Sequence, residues 1–184
     1  MILITGGARS GKSRFAEQIA EKRGGDVLYI ATSAVTDTEM AERIRFHQQQ
    51  RPAHWHTFES HRDLGDVVRL KQTEFPTIVI ECITTLITNL LFDMAGETEP
   101  EAMDFTAIEE HILAQITELA DAAQHCETEV IIVTNEVGMG IVPDNLLSRR
   151  FRDIAGRVNQ QLAAAADDVY LVVSGIPVPV KTSA

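Results

Sequence analysis

Residues 6–13 are the part of this sequence whose residue types and spacing most clearly fit a chemical role. They satisfy the phosphate-loop pattern G-x-x-x-x-G-K-[ST] with Gly6, Gly7, Ala8, Arg9, Ser10, Gly11, Lys12 and Ser13. Glycines let backbone N–H groups approach phosphate oxygens, and a helix that begins near Gly11 would point its positive dipole end at the same anion. Lys12 can then act as the catalytic cation on the β- and γ-phosphates, and the Ser13 hydroxyl can coordinate Mg²⁺. The pattern predicts a nucleoside triphosphate site; an ordinary glycine-rich turn is the alternative.

Glu81 is a second candidate because it directly follows the apolar run Ile78-Val79-Ile80, which is typical of a buried strand. Proteins with a phosphate loop commonly place an acid at the end of a neighbouring strand, where it helps to hold Mg²⁺. We therefore predict that Glu81 and Ser13 form the metal site. A carboxylate that only faces solvent at the strand tip is the alternative.

His47 is a third candidate, one helical turn after Arg43 in a segment with helical character. A neutral imidazole next to a triphosphate can attack the α-phosphorus and form a covalent nucleotidyl intermediate. From the residues alone, a surface histidine on a helix is the more common interpretation of such a position. The other five histidines show no spacing typical of a metal site.

The elements around these residues alternate between apolar runs and segments with helical periodicity. Such alternation predicts an α/β protein similar to phosphate-loop NTPases, a single domain with a mostly parallel sheet and helices on both faces. The strands are predicted at 1–5, 27–31, 55–58, 77–81, 129–134 and 169–173, and the helices at 12–23, 37–50, 63–71, 84–94, 105–125 and 146–166, with a loop at 135–143 and a tail from 177 to 184.

Composition excludes several classes of function. The chain has 184 residues and a formal net charge of −11, so it lacks the excess of Lys and Arg that nucleic-acid binding requires. No run approaches the roughly 18 apolar residues of a membrane span, and the N-terminus lacks a signal-peptide core. Two cysteines make no disulfide framework, so we expect a reduced, cytoplasmic protein that acts on small molecules.

Taken together, these motifs resemble the bifunctional adenosylcobinamide kinase/adenosylcobinamide-phosphate guanylyltransferase family of cobalamin biosynthesis. The similarity extends over nearly the whole chain. It is carried by residues 4–13, 29–33, Glu42-Arg43-Ile44 with His47, Arg51-Pro52, Trp55, 81–84, 134–143 and 152–160.

The resemblance implies two reactions at one site. ATP or GTP would phosphorylate the aminopropanol hydroxyl of adenosylcobinamide, and GTP would convert that phosphate into adenosylcobinamide-GDP with release of pyrophosphate. In the second reaction His47 would carry the guanylyl group from GTP to the product, and the 37–50 helix would move on GTP binding to bring His47 to the α-phosphorus. The resemblance also implies a homotrimer and GTP contacts at residues 6–13, Ala31, Thr32, Ser33, Gln48, Gln49, Gln50, Arg51, Glu59 and Glu81.

The residues support these implied contacts in part. Thr32 and Ser33 follow a predicted strand, and we expect their hydroxyls to face the crevice that holds the nucleotide. Residues 48–51 would otherwise be assigned to a helix end and loop. A monofunctional small-molecule kinase, or a GTP-binding regulatory protein, remains the alternative function.

Overall fold

A computed structural model describes residues 1–33, 52 and 54–183. Within them the chain forms one seven-stranded sheet and five α-helices. The strands are β1 (Ile2–Thr5), β2 (Val27–Ala31), β3 (His56–Glu59), β4 (Thr77–Glu81), β5 (Glu129–Val133), β6 (Asp168–Val173) and β7 (Ile176–Lys181). The helices are α1 (Lys12–Arg23), α2 (Leu64–Lys71), α3 (Ile83–Ala95), α4 (Phe105–His125) and α5 (Leu146–Ala165), with a short 3₁₀ turn at Pro100–Ala102.

The strands lie in the order β3-β2-β4-β5-β1-β6-β7, and every neighbouring pair except β6 and β7 is parallel. The carboxyl ends of the first six strands in the chain therefore meet at one edge of the sheet. Within this edge the register sets Glu59, Ala31 and Glu81 side by side across β3, β2 and β4. Loops at this edge build the sites of such sheets.

Both faces of the sheet are covered, as the sequence predicts. On one face Ile2, Ile4 and Val172 pack against Ala16 and Ala20 of α1. The opposite face holds the larger core, formed by alternate strand residues together with α2, α3, α4 and α5. Burial on both faces explains why the central strands are nearly continuous apolar runs.

The predicted tail from residue 177 is wrong, because β7 pairs antiparallel with β6 along this segment. Ser174 and Gly175 both have positive φ, 51° and 83°, as a two-residue hairpin turn requires. The missed signal was this Ser-Gly pair between two β-branched runs. Pro177 and Pro179 are tolerated because β7 is an edge strand, where a missing N–H removes no ladder bond on the outer side.

Other predicted boundaries lie within a residue or two of the observed ones. Side-chain caps fix two of the helix starts: Asp104 accepts from the backbone N–H groups of Thr106 and Ala107, and Asn145 accepts from that of Ser148. Within the described part of the chain, no helix has the length and apolar character needed to cross a membrane. The predicted helix at 37–50 lies outside the described residues.

Candidate functional site

The loop between β1 and α1 has a backbone that its glycines make possible. Gly6 and Gly11 have φ values of 149° and 102°, in a region that other residues rarely adopt. A Cβ added at Gly6 would lie 2.4 Å from the carbonyl oxygen of Val172, and one at Gly11 would lie 3.1 Å from Cα of Gly175. Gly7, Ala8 and Arg9 are exposed. The loop therefore packs closely against Val172 and Gly175 on one side. Its other side is exposed to solvent, as a site for an anion requires.

Two backbone hydrogen bonds join this loop to neighbouring strands. The Gly175 N–H of the β6–β7 turn donates to the carbonyl of Ser10 at 2.7 Å, and the Glu136 N–H beyond β5 donates to that of Gly6 at 3.0 Å. The phosphate-loop conformation is therefore supported from both sides.

Lys12 is the first residue of α1 and is buried. Its Nζ donates to the carbonyl of Gly7 at 2.7 Å, so the ammonium is folded back over the loop. Burial lowers the pKa of Lys12, while the nearby Cys82 thiol and Glu81 carboxylate act in the opposite direction. Because the Lys12 ammonium is partly desolvated, it is well placed to replace its hydrogen bond to the Gly7 carbonyl with one to a phosphate oxygen.

Glu81 connects the phosphate loop to the end of β4. Its Oε1 accepts a hydrogen bond from the Ser13 hydroxyl, and its Oε2 accepts one from the Tyr29 hydroxyl at 2.8 Å. A hydroxyl and a carboxylate oxygen in direct contact are hard donors that suit Mg²⁺, which takes few protein ligands and completes its octahedron with water and phosphate. The residues present therefore fit a magnesium ion, and the interpretation of Glu81 as merely solvent-facing is wrong.

The Thr32 side chain departs from the expectation for it. It is 1% exposed, and its hydroxyl donates to the carbonyl of Cys82 at 2.7 Å instead of facing an open crevice. The Asn89 amide donates to the Thr32 carbonyl at 2.7 Å. Thr32 thus ties the end of β2 to the start of α3, while Ser33 beside it is only half-buried.

A polar network that the sequence did not reveal continues from this point. The Asn135 side-chain amide, just beyond β5, donates to the Thr84 hydroxyl at 2.7 Å, and the Asn159 amide of α5 donates to the Asn135 carbonyl at 3.1 Å. The Cys82 thiol contacts the hydroxyls of Thr84 and Thr85. These contacts hold the carboxyl ends of β4 and β5 at a fixed spacing. The only sequence signal was a polar residue directly after each apolar run.

The remaining predicted residues divide into two groups. Ala31 and Glu59 are paired across β2 and β3 at the same edge, with Ala31 buried and Glu59 exposed. The other group lies outside the described residues: His47, Gln48, Gln49, Gln50 and Arg51.

Among histidines that the structure describes, two pair with carboxylates on the surface. His61 contacts Asp93 at 2.9 Å, and His125 contacts Asp121 at 3.1 Å. Across residues 1–33, 52 and 54–183, no group of three or more His, Cys, Asp or Glu side chains could hold a metal.

Comparisons with known proteins identify the family of this chain. The family described as cobinamide kinase / cobinamide phosphate guanyltransferase matches residues 2–180. The bifunctional adenosylcobalamin biosynthesis protein CobU of Escherichia coli (strain K12) is 54% identical over 98% of this chain and 99% of that protein. The protein of the same name in Salmonella typhimurium (strain LT2) is 56% identical over 98% and 99%. Among solved structures, the RadB recombinase superposes with a TM-score of 0.49 at 14% identity, covering 92% of this chain and 72% of that chain.

Proposed function

This chain belongs to the cobinamide kinase / cobinamide phosphate guanyltransferase family, and from that premise we propose that a single triphosphate site serves both activities. In the kinase reaction, ATP or GTP gives its γ-phosphoryl group to the hydroxyl of adenosylcobinamide. In the transferase reaction, GMP passes from GTP to adenosylcobinamide phosphate, which yields adenosylcobinamide-GDP and pyrophosphate. Residues 1–184 act as one catalytic domain.

The observation that carries this proposal is the phosphate loop with Lys12 above it and Glu81 beside it. Lys12 exchanges its bond to Gly7 for phosphate oxygens, so its charge meets the charge that develops during phosphoryl transfer. Further nucleotide contacts are assigned to Ala31, Thr32 and Ser33, to Gln48, Gln49, Gln50 and Arg51, and to Glu59 and Glu81. For Thr32 the hydroxyl and the backbone N–H already donate to the carbonyls of Cys82 and Glu81, so in this proposal it shapes the nucleotide site and does not donate to the nucleotide.

Ser13 and Glu81 would hold Mg²⁺, which would supply positive charge to offset the charge of the phosphates. Their side-chain oxygens are in direct contact, so both could serve one cation. Tyr29 keeps its own bond to Glu81 and so continues to orient the carboxylate.

His47 is the nucleophile of the transferase reaction in this proposal. Its imidazole nitrogen forms a bond to the α-phosphorus of GTP as the bond to pyrophosphate breaks. A phosphate oxygen of the acceptor then attacks the same phosphorus, and the imidazole leaves. Movement of the 37–50 segment about residues 32–34 would bring His47 to the nucleotide. The bonds from Thr32 to Cys82 and Asn89 would anchor the chain at the start of this hinge.

The assembly and location are also proposals. In this proposal the protein forms a homotrimer, as the family resemblance implies. A cytoplasmic location is supported by Cys82 and Cys126, both of which are free thiols.

Product analysis separates this proposal from its alternatives. The protein is incubated with adenosylcobinamide, Mg²⁺ and either ATP or GTP, and corrinoid products are identified by mass. Both the phosphate and the GDP product should form, Lys12→Ala should lose both, and His47→Ala should lose only the second. Formation of the phosphate alone would support a monofunctional kinase, and hydrolysis without any corrinoid product would support a GTP-binding regulatory protein.

A further inference from the structure

The loop that joins β5 to α5 carries an exposed apolar tip formed by Met139, Ile141 and Val142. Their exposed fractions are 79%, 97% and 62%, although each is of a residue type that is normally buried. Exposed apolar residues that cluster in one loop indicate a surface that binds something.

Both ends of the loop are fixed, so the tip is held in position. At the first end, Glu136 donates its backbone N–H to Gly6, and its Oε1 accepts from the Gly138 N–H at 2.8 Å. At the other end, Arg149 Nη1 donates to the carbonyls of Pro143 and Asp144 at 3.1 and 2.6 Å. These hydrogen bonds use polar groups at the two ends of the loop, and the apolar side chains between the ends remain exposed to solvent.

The position of the tip follows from the order of the strands. β5 lies between β4, which ends at Glu81, and β1, which leads into the phosphate loop. The loop after β5 therefore emerges between the two parts of the triphosphate site. A molecule that rests on the tip would therefore lie at the same edge of the sheet as the phosphate loop.

We propose that the tip formed by Met139, Ile141 and Val142 binds the corrin macrocycle of the acceptor. The inference rests on the proposed function and names the acceptor's place within that site. A corrin is a broad ring that carries methyl groups as well as amide side chains, and the hydroxyl to be phosphorylated is carried on a short side arm. The ring must therefore dock close to the γ-phosphate, on a surface that offers apolar contact and few charges.

Other exposed apolar residues fit this role less well. Leu70 is in the last turn of α2, which leads to the amino end of β4 and thus to the opposite edge of the sheet. Ile176, on the β6–β7 hairpin, is nearer, but it is a strand residue paired across the hairpin with Val173. Among the described residues, the tip joins high exposure, 97% at Ile141, to a loop that leaves the sheet between the ends of β4 and β1.

The test measures corrinoid and nucleotide recognition separately. Met139→Ser, Ile141→Ser, Val142→Ser and the triple variant are compared with wild type and with the control Leu70→Ser, whose parent residue is 70% exposed. Binding of adenosylcobinamide is followed by equilibrium dialysis with a non-hydrolysable ATP analogue, and the kinase KM by steady-state turnover. Ile141→Ser should raise the dissociation constant and the KM for adenosylcobinamide about tenfold. The triple variant should raise both about a hundredfold. The nucleotide KM, the melting temperature and covalent labelling by GTP alone should be unchanged.

Each other outcome has a defined meaning. If wild type phosphorylates adenosylcobinamide and the tip variants keep its KM, the inference is wrong while the proposed function stands. If Ile176→Ser alone weakens corrinoid binding, or if the tip variants change the sedimentation coefficient, the tip does not bind the ring and the inference is overturned. If wild type neither binds nor phosphorylates the corrinoid, the proposed function itself fails.

Discussion

At the scale of single residues, chemistry in this protein depends on charges that the fold holds close together. Lys12, Ser13 and Glu81 come from two segments that are far apart in sequence, yet the Ser13 hydroxyl contacts the Glu81 carboxylate directly. The sequence pattern predicted these three residues because their types and strand-end positions are diagnostic. It could not predict that Thr32 turns inward, since a threonine at a strand end fits a ligand contact and a structural hydrogen bond equally well.

Lys12 gives a pH-dependent prediction. Burial lowers the pKa of the free protein's ammonium below 10.5, and a bound triphosphate should raise it again by supplying negative charge. Nucleotide affinity should therefore be constant below the lowered pKa and should fall as pH rises above it. Titration calorimetry with MgATP measures this slope. Lys12→Ala should bind about a hundredfold more weakly and without the slope; a slope that persists in this variant would contradict the assignment.

Glu81 gives a second prediction. Glu81→Gln keeps the shape of the side chain but removes the charge, so kcat should fall about a hundredfold and half-saturation should need more Mg²⁺. Tyr29→Phe is the comparison variant, since it removes the hydroxyl that donates to Oε2 while Glu81 keeps its charge, and it should lower the free energy of unfolding by about 1 kcal/mol. An unchanged Mg²⁺ requirement in Glu81→Gln would rule out its role at the metal.

At the scale of elements, the sequence was most informative where burial enforces a pattern. Apolar runs such as Ile78-Val79-Ile80 are buried on both faces of the sheet and were correctly predicted as strands. β7 was missed because alternating prolines oppose a strand prediction, and only its place at the edge makes them harmless. Edge position is a tertiary property that local sequence does not contain.

The phosphate loop allows a matched pair of glycine substitutions. Gly6→Ala places a Cβ against the Val172 carbonyl at a φ that alanine disfavours, so the free energy of unfolding should fall by about 3 kcal/mol or more. Gly7→Ala meets nothing within 4 Å and should change the free energy of unfolding by less than about 1 kcal/mol. Denaturation with urea compares the two. Equal losses would show that the loop is not packed against β6 as described.

Lys181, the last residue of β7, stabilises the carboxyl end of α5. Lys181 Nζ donates to the carbonyls of Ala163, Ala164 and Ala166 at 3.1, 3.0 and 2.5 Å, where the end of α5 would otherwise leave them unpaired. Lys181→Ala should lower the free energy of unfolding by about 1–2 kcal/mol. Lys22→Ala, in the last turn of α1, is the control and should be nearly neutral. A neutral Lys181→Ala would mean that β7 adds little to stability.

At the scale of the whole molecule, the arrangement brings three functions to one edge of the sheet. The loop after β1 has the glycine-rich phosphate-loop conformation, the end of β4 offers a carboxylate, and the loop after β5 carries exposed apolar residues between these two strands. Family membership followed from motifs spread over the chain, and the fold class followed from the alternation of strands and helices. The polar network around Asn135 and the position of the apolar tip could not be predicted, because they depend on which strands become neighbours.

The central claim is that the same triphosphate site also serves nucleotidyl transfer through His47, and covalent labelling tests it most directly. Protein incubated with α-labelled GTP and Mg²⁺, without corrinoid, should acquire an acid-labile and alkali-stable label as a phosphoramidate forms. The label should be lost in His47→Ala and in Lys12→Ala, and retained in His54→Ala, whose parent histidine is exposed. Absence of label in wild type, or full labelling of His47→Ala, would contradict the account.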